Sequence, residues 1–344
     1  MEINEELLNF NINTISNLYT TDPQSFSDNL IFVGANQKYT SINTAISAST
    51  SESLLILMPE YFDEDVTITS ADIHLLGYSK DLTKIKSLTV TGAHSWLENL
   101  SVSGSASFLS QATYVGGWNG KNSTVVKNVA FYGNVDLGNS TTSLVENTRF
   151  EYCDVVGGGT ISINYGNNAM LWYHSFIRPT GTNLSDRSSI NIYNGDMRFS
   201  GGRGIYINSI NYINTDKYSV VGFYHCFQLA IGAISTVLST QYHILIINNC
   251  VADLGTSSGS DLTFSGKFEL DLINSSIAIW KNIIFNSSAN SRFDGLQQRG
   301  YTSTTAISGT GLSYLRIYRS TLKCAAPVGL GGDSVNAWSA FIDN

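Results

Sequence analysis

A short unit that recurs along the chain constrains its fold more than any other feature. Val126–Phe131, Val145–Phe150 and Trp280–Phe285 share one pattern: an apolar residue, any residue, Asn, two further residues and an aromatic residue. His243–Gly255, HILIINNCVADLG, is a variant with two asparagines and a cysteine after an apolar run. The landmark positions of the units are Asn99, Asn128, Asn147, His174, Ser209, His225, Asn249, Asn282 and Arg319. Eight intervals from residue 99 to 319 give a mean period of about 27, which is typical of solenoids.

The Asn in each unit has a physical role at a corner between two short strands. Asn tolerates the left-handed backbone conformation that a tight corner needs. When coils stack about 4.8 Å apart, the Asn amides can hydrogen-bond from one coil to the next. Ser or Cys can replace Asn in such a ladder. The pattern therefore predicts an all-β parallel β-helix of about ten coils, with corner side chains stacked along one edge.

Composition excludes several classes of function. Charged residues make up only 13% of the chain, against ~25% in an average globular protein, and the net charge is -8 without a basic cluster. We therefore predict no nucleic-acid partner, since binding phosphates needs a concentrated Lys/Arg surface. The longest apolar runs are far shorter than the ~20 residues of a membrane span, so no membrane insertion is predicted. The acidic N-terminus lacks the basic region and apolar stretch of a secretory signal, which leaves open whether a signal preceded it.

Cysteine and histidine positions predict no metal or cofactor site. Cys153, Cys226, Cys250 and Cys324 contain no CxxC pair and are predicted to be free, buried thiols. His174 and His225 occupy equivalent units, so we expect each to replace Asn at a corner; a metal ligand or a general base is the alternative. His243 opens a strand. No cofactor is assigned.

The chain divides into four predicted segments. Residues 1–30 form an arm, with Leu8, Ile12, Ile15 and Tyr19 at helical spacing; it is either a cap on the body or an attachment segment. Residues 31–85 form an N-terminal cap and the first coils, including a helix capped by Thr40 or Ser41. Residues 86–325 form the β-helix, and residues 326–344 form a C-terminal tail or cap.

The stretches GANQKYTSINTAI, LLILMPEYFDEDVTI and IHLLG, within about residues 31–90, resemble the N-terminal unit of pectin methylesterases. This unit is shared by many pectin-lyase-like right-handed parallel β-helix proteins, phage tailspikes included. The resemblance implies that fold, with an N-terminal capping helix. Tailspike-like proteins are trimers, so it also implies a homotrimer.

The catalytic motifs of these families are absent, so no catalytic residue is assigned. The chain lacks the Asp and Arg segments of the esterases, and of the polygalacturonase set it has only Asn214-Thr215-Asp216. Arg178-Pro179 resembles part of a pectate lyase site but has no partner Asp cluster. Glycoside hydrolysis needs two carboxylates on one surface, which adjacent coils or subunits can supply. The candidates are Asp186, Asp196, Asp216, Asp253, Asp261, Glu269 and Asp271.

Four aromatic residues are predicted to bind glycan: Trp118, Trp172, Tyr173 and Tyr193. They are expected in or beside two loops, 111–125 and 178–204, where aromatic faces flanked by Asn and Gly suit stacking on sugar rings. The alternative is that these rings pack loops onto the coils or form a subunit interface.

The absent catalytic motifs, the missing export signal, the separate arm and the low-charge composition rich in Asn, Ser, Thr and Gly together resemble β-helical proteins of phage particles. This resemblance implies a virion structural protein of tailspike, fibre or decoration type at the virion surface. It would attach to other virion proteins through its arm and bind a host surface polysaccharide or neighbouring subunits without strong catalytic activity. One alternative is a tailspike polysaccharide depolymerase, a lyase or a glycoside hydrolase. Another is a secreted, extracellular pectin-active esterase, whose absent motifs argue against it.

Overall fold

The chain folds almost entirely into parallel β-strands that stack as a solenoid of about nine turns. The structure, a computed structural model, describes residues 29–50, 52–109, 124–138, 148–214, 216–237, 239–256, 261–280, 282–286, 289–295, 297–298, 307–309, 312–318 and 342–343. The predicted fold class is confirmed. The predicted arm lies outside the described residues except for 29 and 30, as does the predicted tail except for 342 and 343.

The described strands are short, and each is followed within a few residues by the next. In chain order they are β1 (Leu30–Val33), β2 (Ser53–Leu57), β3 (Tyr61–Ile68), β4 (Ile73–Gly77), β5 (Lys84–Val90), β6 (Trp96–Glu98), β7 (Ser101–Val102), β8 (Ala106–Phe108), β9 (Thr124–Lys127), β10 (Ala130–Phe131), β11 (Val135–Leu137), β12 (Thr148–Glu151), β13 (Asp154–Val156), β14 (Thr160–Tyr173), β15 (Phe176–Arg178), β16 (Ser188–Ser200), β17 (Arg203–Tyr212), β18 (Ser219–Tyr224), β19 (Phe227–Ser235), β20 (His243–Asn248), β21 (Val251–Leu254), β22 (Leu262–Ser265), β23 (Phe268–Ile273), β24 (Ser276–Ile279), β25 (Ile283–Asn286), β26 (Ala289–Asp294), β27 (Gln297–Gln298), β28 (Ile307–Gly309), β29 (Leu312–Tyr318) and β30 (Ile342–Asp343).

Three parallel sheets run along the solenoid. The first sheet, which precedes the corner, contains β1, β2, β4, β6, β9, β12, the end of β14, the end of β16, β18, β20, β23, β26, β29 and β30. The second sheet, after the corner, contains the start of β5, β7, β10, β13, β15, the starts of β17 and β19, β21, β24 and β27. The third includes β3, the end of β5, β8, β11, the starts of β14 and β16 and the ends of β17 and β19. Strands β22, β25 and β28 form a separate ladder further along the chain.

The α-helix α1 (Ile42–Ala48) lies near the N-terminal end of the solenoid, as predicted. Ser41 caps it, with its hydroxyl accepting from the Thr44 amide at 3.3 Å. The Glu64 carboxylate also accepts from the Ile42 amide at 2.6 Å, which satisfies a second helix-terminal donor. Ile42 and Ala45 are fully buried, so this side of the helix faces the core.

Among the described residues, a left-handed corner follows the first sheet in nine successive turns. The corner residues all have φ between 46° and 70°: Asn99, Asn128, Tyr152, His174, Gly201, His225, Asn249, Asn274 and Gly295. The residues just before them pair in register along the first sheet, so the corners stack from coil to coil. Successive steps between these paired residues range from 21 residues, Ile273 to Asp294, to 29 residues, Glu98 to Lys127.

The predicted corners are confirmed at Asn99, Asn128, His174, His225 and Asn249. Two are wrong. Ser209 lies within β17, and Gly201 makes the corner of that coil; Asn282 lacks a positive φ, and Asn274 makes the corner there. Both positions precede residues that pair outside the second sheet: Ile210–Tyr212 pair with the start of β16, and Ile283 begins β25. Asn147 and Arg319 lie outside the described residues.

Stacked side chains extend the corner ladder where Asn is replaced. The Asn128 amide donates to the Asn99 carbonyl at 2.7 Å, as predicted for an Asn ladder. Further along, the Tyr152 and His174 rings stack with centroids 5.3 Å apart. The His174 ring leans onto the next corner, since a Cβ on Gly201 would lie 2.7 Å from its Nδ1. Small size at Gly201 therefore lets the larger neighbouring ring fit.

The core is a column of stacked side chains from successive coils. On the first sheet, Phe150, Trp172, Phe199 and Phe223 pair in register and point inward. Directly after the corner, Cys153, Cys226 and Cys250 are buried and free, as predicted, while Cys324 lies outside the described residues. Their thiols occupy one column: the Cys226 amide donates to the Cys250 sulfur at 3.3 Å, and the Cys250 amide to Ser275 Oγ at 3.1 Å.

Candidate functional site

Trp172 was predicted to bind glycan, and that prediction is wrong. Its side chain is 1% exposed and lies in the aromatic column, with the Phe150 ring 3.9 Å away and nearly parallel. Phe199 stacks from the next coil at 5.7 Å. In β14 the alternation of the strand turns Trp172 inward and its neighbour Tyr173 outward. Sugar therefore has no access to the indole.

Tyr193 does not lie in a loop, which corrects the prediction that residues 178–204 interrupt the coils. Ser188–Ser200 form the long strand β16, and only the segment before it is irregular. Ile192 pairs with Ile163 and Asn194 with Asn164, so Tyr193 is the additional residue of a bulge. Its ring is half-buried where the strand passes from the third sheet to the first. Trp118 and residues 111–123 lie outside the described residues.

Tyr173 does lie on an outer surface, at the end of β14 and just before the corner. It is half-buried, and the guanidinium of Arg149 lies 4.8 Å from its ring centroid. Arg149 also contacts the Glu151 carboxylate, which pairs with Tyr173 in the register. The side chains next to Tyr173 on the same outer face of the first sheet indicate where a functional surface lies.

Between strands β14 and β23, that face carries a set of aromatic and charged side chains. We call this set the tyrosine–carboxylate strip. Four strand steps separate its ends, about 19 Å at about 4.8 Å per step. Each member on a strand alternates with buried residues and so points away from the core. The strip comprises Tyr173, Asp196, Arg198, Tyr218, Tyr224, Glu269 and Asp271.

Arg198 and Asp196 form a fixed ion pair on β16. Arg198 Nε lies 2.9 Å and its terminal nitrogen 2.5 Å from Asp196 Oδ2, a two-pronged arrangement that holds both groups in one geometry. The hydrogen bond to Asp196 raises the pKa of Arg198 above the usual value for arginine. The guanidinium side chain is 46% exposed, so it keeps donors available to a ligand.

The Tyr224 ring lies along its own strand, β18, because Gly222 leaves room for it. A Cβ at Gly222 would lie 2.6 Å from Cε2 of the Tyr224 ring. Gly222 pairs with Arg198, so the ring covers the position beside the ion pair. The lack of a side chain at Gly222 thus exposes an aromatic surface along the strip.

Tyr218 stands at the edge of the strip, 50% exposed, immediately before β18. Burial raises its pKa first, and the Asp196 and Glu269 carboxylates raise it further. Burial likewise raises the pKa of Tyr224, with Asp196 and Asp271 acting in the same direction. Both phenols therefore stay protonated at neutral pH and can donate hydrogen bonds among acceptor carboxylates.

The carboxylates of the strip include three of the sequence candidates. Glu269 and Asp271 alternate outward on β23, and the register aligns Glu269 with the column of Asp196. The remaining described candidates lie elsewhere. Asp186 accepts from the Asn183 amide in the turn Leu184–Asp186, Asp261 from the Asn282 amide, and Asp253 belongs to the second sheet. Asp216 is exposed in the segment before Tyr218.

The same outer face has a different character on β1, β2 and β4. There Leu54, Ile56 and Leu76 point away from the core yet are at most 7% exposed, and Leu30, Phe32 and Met58 pack against them. His74 on this face is 8% exposed, and its Nδ1 accepts from the Trp96 amide at 3.1 Å. The apolar, covered part of this face therefore lies on β1, β2 and β4, away from the strands of the strip.

The described part of the chain contains no arrangement of side chains suited to a metal site or to a reactive thiol. No three His, Cys, Asp or Glu side chains converge there as a ligand set. Burial raises the pKa of the Cys153 thiol to about 12, and the contact with Cys226, together with burial, raises that of Cys250. His174 is a corner residue whose Nδ1 lies 3.3 Å from the Gly201 carbonyl oxygen.

Sequence reasoning missed Arg198, Tyr218 and Tyr224. Their signal is positional: Tyr224 stands one residue before the His225 corner, and Arg198 three residues before the Gly201 corner. On the first sheet, the side chains one, three or five positions before a corner point outward. Predicting the strip from the sequence therefore requires knowing that Gly201 is the corner of its coil. The repeat pattern predicted that corner at Ser209 instead.

Comparison of the chain with protein-family models, with curated proteins and with solved structures returned no match. Within the described residues, no helix has the length and apolar character needed to span a membrane. The candidate function accordingly depends on the strip.

Proposed function

We propose that this protein is a glycan-binding β-solenoid and that the polysaccharide lies along the tyrosine–carboxylate strip. The observation that supports this most directly is the combination of Tyr218 and Tyr224 with the Arg198–Asp196 pair on one flat outer face. Aromatic faces stack on sugar rings, while fixed charged groups and phenols orient hydroxyls. The length of the strip matches an extended chain rather than a single small ligand.

The proposal includes a virion role of tailspike, fibre or decoration type. It is supported by the resemblance of residues 31–90 to pectin-lyase-like proteins, which include phage tailspikes, and by the low-charge composition. In this role the protein is a homotrimer at the virion surface, and residues 1–30 attach it to other virion proteins. Antibody labelling of intact particles tests this role, and failure to find the protein in any particle would remove it.

The glycan proposal is tested with purified capsular polysaccharides and lipopolysaccharides from candidate host bacteria. We expect at least one to bind the full chain, and a Tyr218→Ala/Tyr224→Ala variant to bind it at least tenfold more weakly. Tyr61→Ala is the matched control, since Tyr61 is 53% exposed but lies on β3. Equal binding by the double variant and the control would sink the strip as the binding surface.

A polysaccharide depolymerase is the second candidate, favoured by the carboxylates Glu269 and Asp271 on the strip. Retaining and inverting glycosidases use two carboxyl groups about 5–9.5 Å apart on one surface, and Glu269 and Asp271 lie two positions apart on β23. Asp196 lies three strand steps, about 14 Å, from Glu269, too far to complete such a pair. In such a reaction, one carboxylic acid protonates the leaving oxygen while the other attacks the sugar or activates water.

The two candidates are separated by product analysis on any polysaccharide that binds. New reducing ends, or unsaturated uronates, that disappear in Glu269→Gln and Asp271→Asn variants would establish the depolymerase. Binding without product in the unaltered protein supports the non-catalytic role.

A further inference from the structure

The second sheet carries two matched bulges directly after the corner. The paired residues Ile177 and Ile205 lie three residues after the His174 corner and four after the Gly201 corner. The additional residue is Gly204, with φ 68°, and the next coil repeats the bulge at Gln228, with φ 58°. A non-glycine residue in this conformation is strained, and such positions concentrate at functional sites.

A solvent-open depression of about 460 Å³ lies at these bulges, lined by Arg203, Phe227, Gln228 and Val251. Arg203 and Phe227 pair in register, so a cation and an aromatic ring lie side by side on adjacent coils. Phe227 is 51% exposed, whereas Cys226 just before it is buried. A ring this exposed beside a depression offers a stacking surface to a ligand.

Arg203 differs from the other arginines near the corner. Arg149, Arg178 and Arg198 each form an ion pair with a carboxylate. Arg203 is exposed and has no ion-pair partner among the described residues. A planar guanidinium with free donors matches a carboxylate through two parallel hydrogen bonds.

We propose that this depression, the Arg203–Phe227 pocket, binds the carboxylate-bearing sugar of an acidic glycan. Arg203 would hold the carboxylate and Phe227 would cover one face of the ring. The inference rests on the proposed glycan-binding function and gives it a substrate class. The pocket lies around the corner from the strip, since Tyr224 is three residues before Phe227 on the same coil, so an acidic residue or branch can extend into it from the strip.

The test is a titration of the full chain with glucuronate and with N-acetylneuraminate, using glucose as the neutral comparison. The readout is the NMR resonance of Arg203 Nε–H together with the dissociation constant. We expect at least one acidic sugar to shift this resonance saturably, glucose to leave it unmoved, and the shift to weaken as salt screens the charge. Arg203→Gln and Phe227→Ala should each weaken binding at least tenfold.

Matched controls come from another cation and exposed ring. Lys267 lies 5.9 Å from the Tyr242 ring centroid outside the pocket, so Lys267→Gln and Tyr242→Ala should leave acid-sugar binding unchanged. The proposal is overturned if neither acidic sugar moves the resonance, if glucose moves it equally, or if both pocket variants bind normally while remaining folded. Loss of polysaccharide binding in the Tyr218/Tyr224 variant, with acid-sugar binding retained, would separate the strip from the pocket.

Discussion

At the residue scale, one left-handed backbone conformation recurs at the corners of the fold. From β6 to β26 each strand of the first sheet is followed by a left-handed residue, and this chain uses Asn, Gly, His or Tyr for it. Asn and Gly suit this conformation; Tyr152 and His174 adopt it with their rings stacked on each other. The corner therefore requires a conformation first and a residue type second.

Substitutions at the exposed Asn249 corner test this requirement. Asn249→Ala should lower the free energy of unfolding by about 1–2 kcal/mol, the cost of a left-handed conformation for an ordinary residue. Asn249→Gly should retain most of the stability, because glycine adopts this conformation freely. Urea denaturation measures both, and an equal loss in the two variants would mean that the Asn amide, rather than the backbone, stabilises the corner.

His74 predicts a pH dependence of stability. Burial lowers its pKa to about 4 in the folded protein, against about 6.5 in the unfolded chain. The unfolded state therefore takes up a proton first as pH falls, so the contribution of neutral His74 is complete above pH 6.5 and declines from there to about 4. The total loss is about 3 kcal/mol. His74→Gln should lose less stability across this window; an unchanged loss in denaturation at several pH values would contradict the assignment.

At the element scale, the strands and corners followed from sequence, but the direction of several side chains did not. Apolar-x-Asn units predicted strand, corner and strand correctly around Asn99, Asn128 and Asn249. Trp172 was misplaced because an aromatic beside Tyr173 looks the same on either face until the register is known. The strip was missed for the same reason: it brings together residues from coils about 25 positions apart, and the bulges of β16 shift the count.

The aromatic column should be the most sensitive element to truncation. Trp172→Ala removes a ring that stacks on Phe150 and Phe199 and leaves a cavity, so the expected loss is about 3–5 kcal/mol. Trp280 is 40% exposed, and Trp280→Ala should change stability by at most about 0.5 kcal/mol. Chemical denaturation compares the two; similar losses would contradict the burial of Trp172.

Gly222 tests whether the Tyr224 ring position matters for binding. The Cβ of Gly222→Ala would overlap the Tyr224 ring and displace it from the strip. We expect polysaccharide affinity to fall roughly tenfold, about 1.4 kcal/mol, with the fold retained. Titration of the bound polysaccharide measures this, and unchanged affinity would show that the ring is not a contact.

At the scale of the whole molecule, the stacked coils make an extended rod. Between the first and the last of the nine described corners, eight steps of about 4.8 Å give a length of about 38 Å. The outer face of that sheet is apolar and covered at one end and polar along the strip. Two candidate binding surfaces lie on either side of one corner, which suits a chain-like ligand that contacts both.

The proposed homotrimer is tested by light scattering after size-exclusion chromatography. A mass three times the 37.4 kDa of the chain is expected. A mass equal to one chain at all concentrations tested would contradict the trimer, while leaving the strip unaffected because its members belong to one chain.

The most direct test of the central claim is a structure of the protein with an oligosaccharide cut from a polysaccharide that it binds. We predict sugar density along the outer face of the first sheet, with rings against Tyr218 and Tyr224 and hydroxyls or carboxylates near Arg198. Density on another face, with none along the strip, would contradict this account.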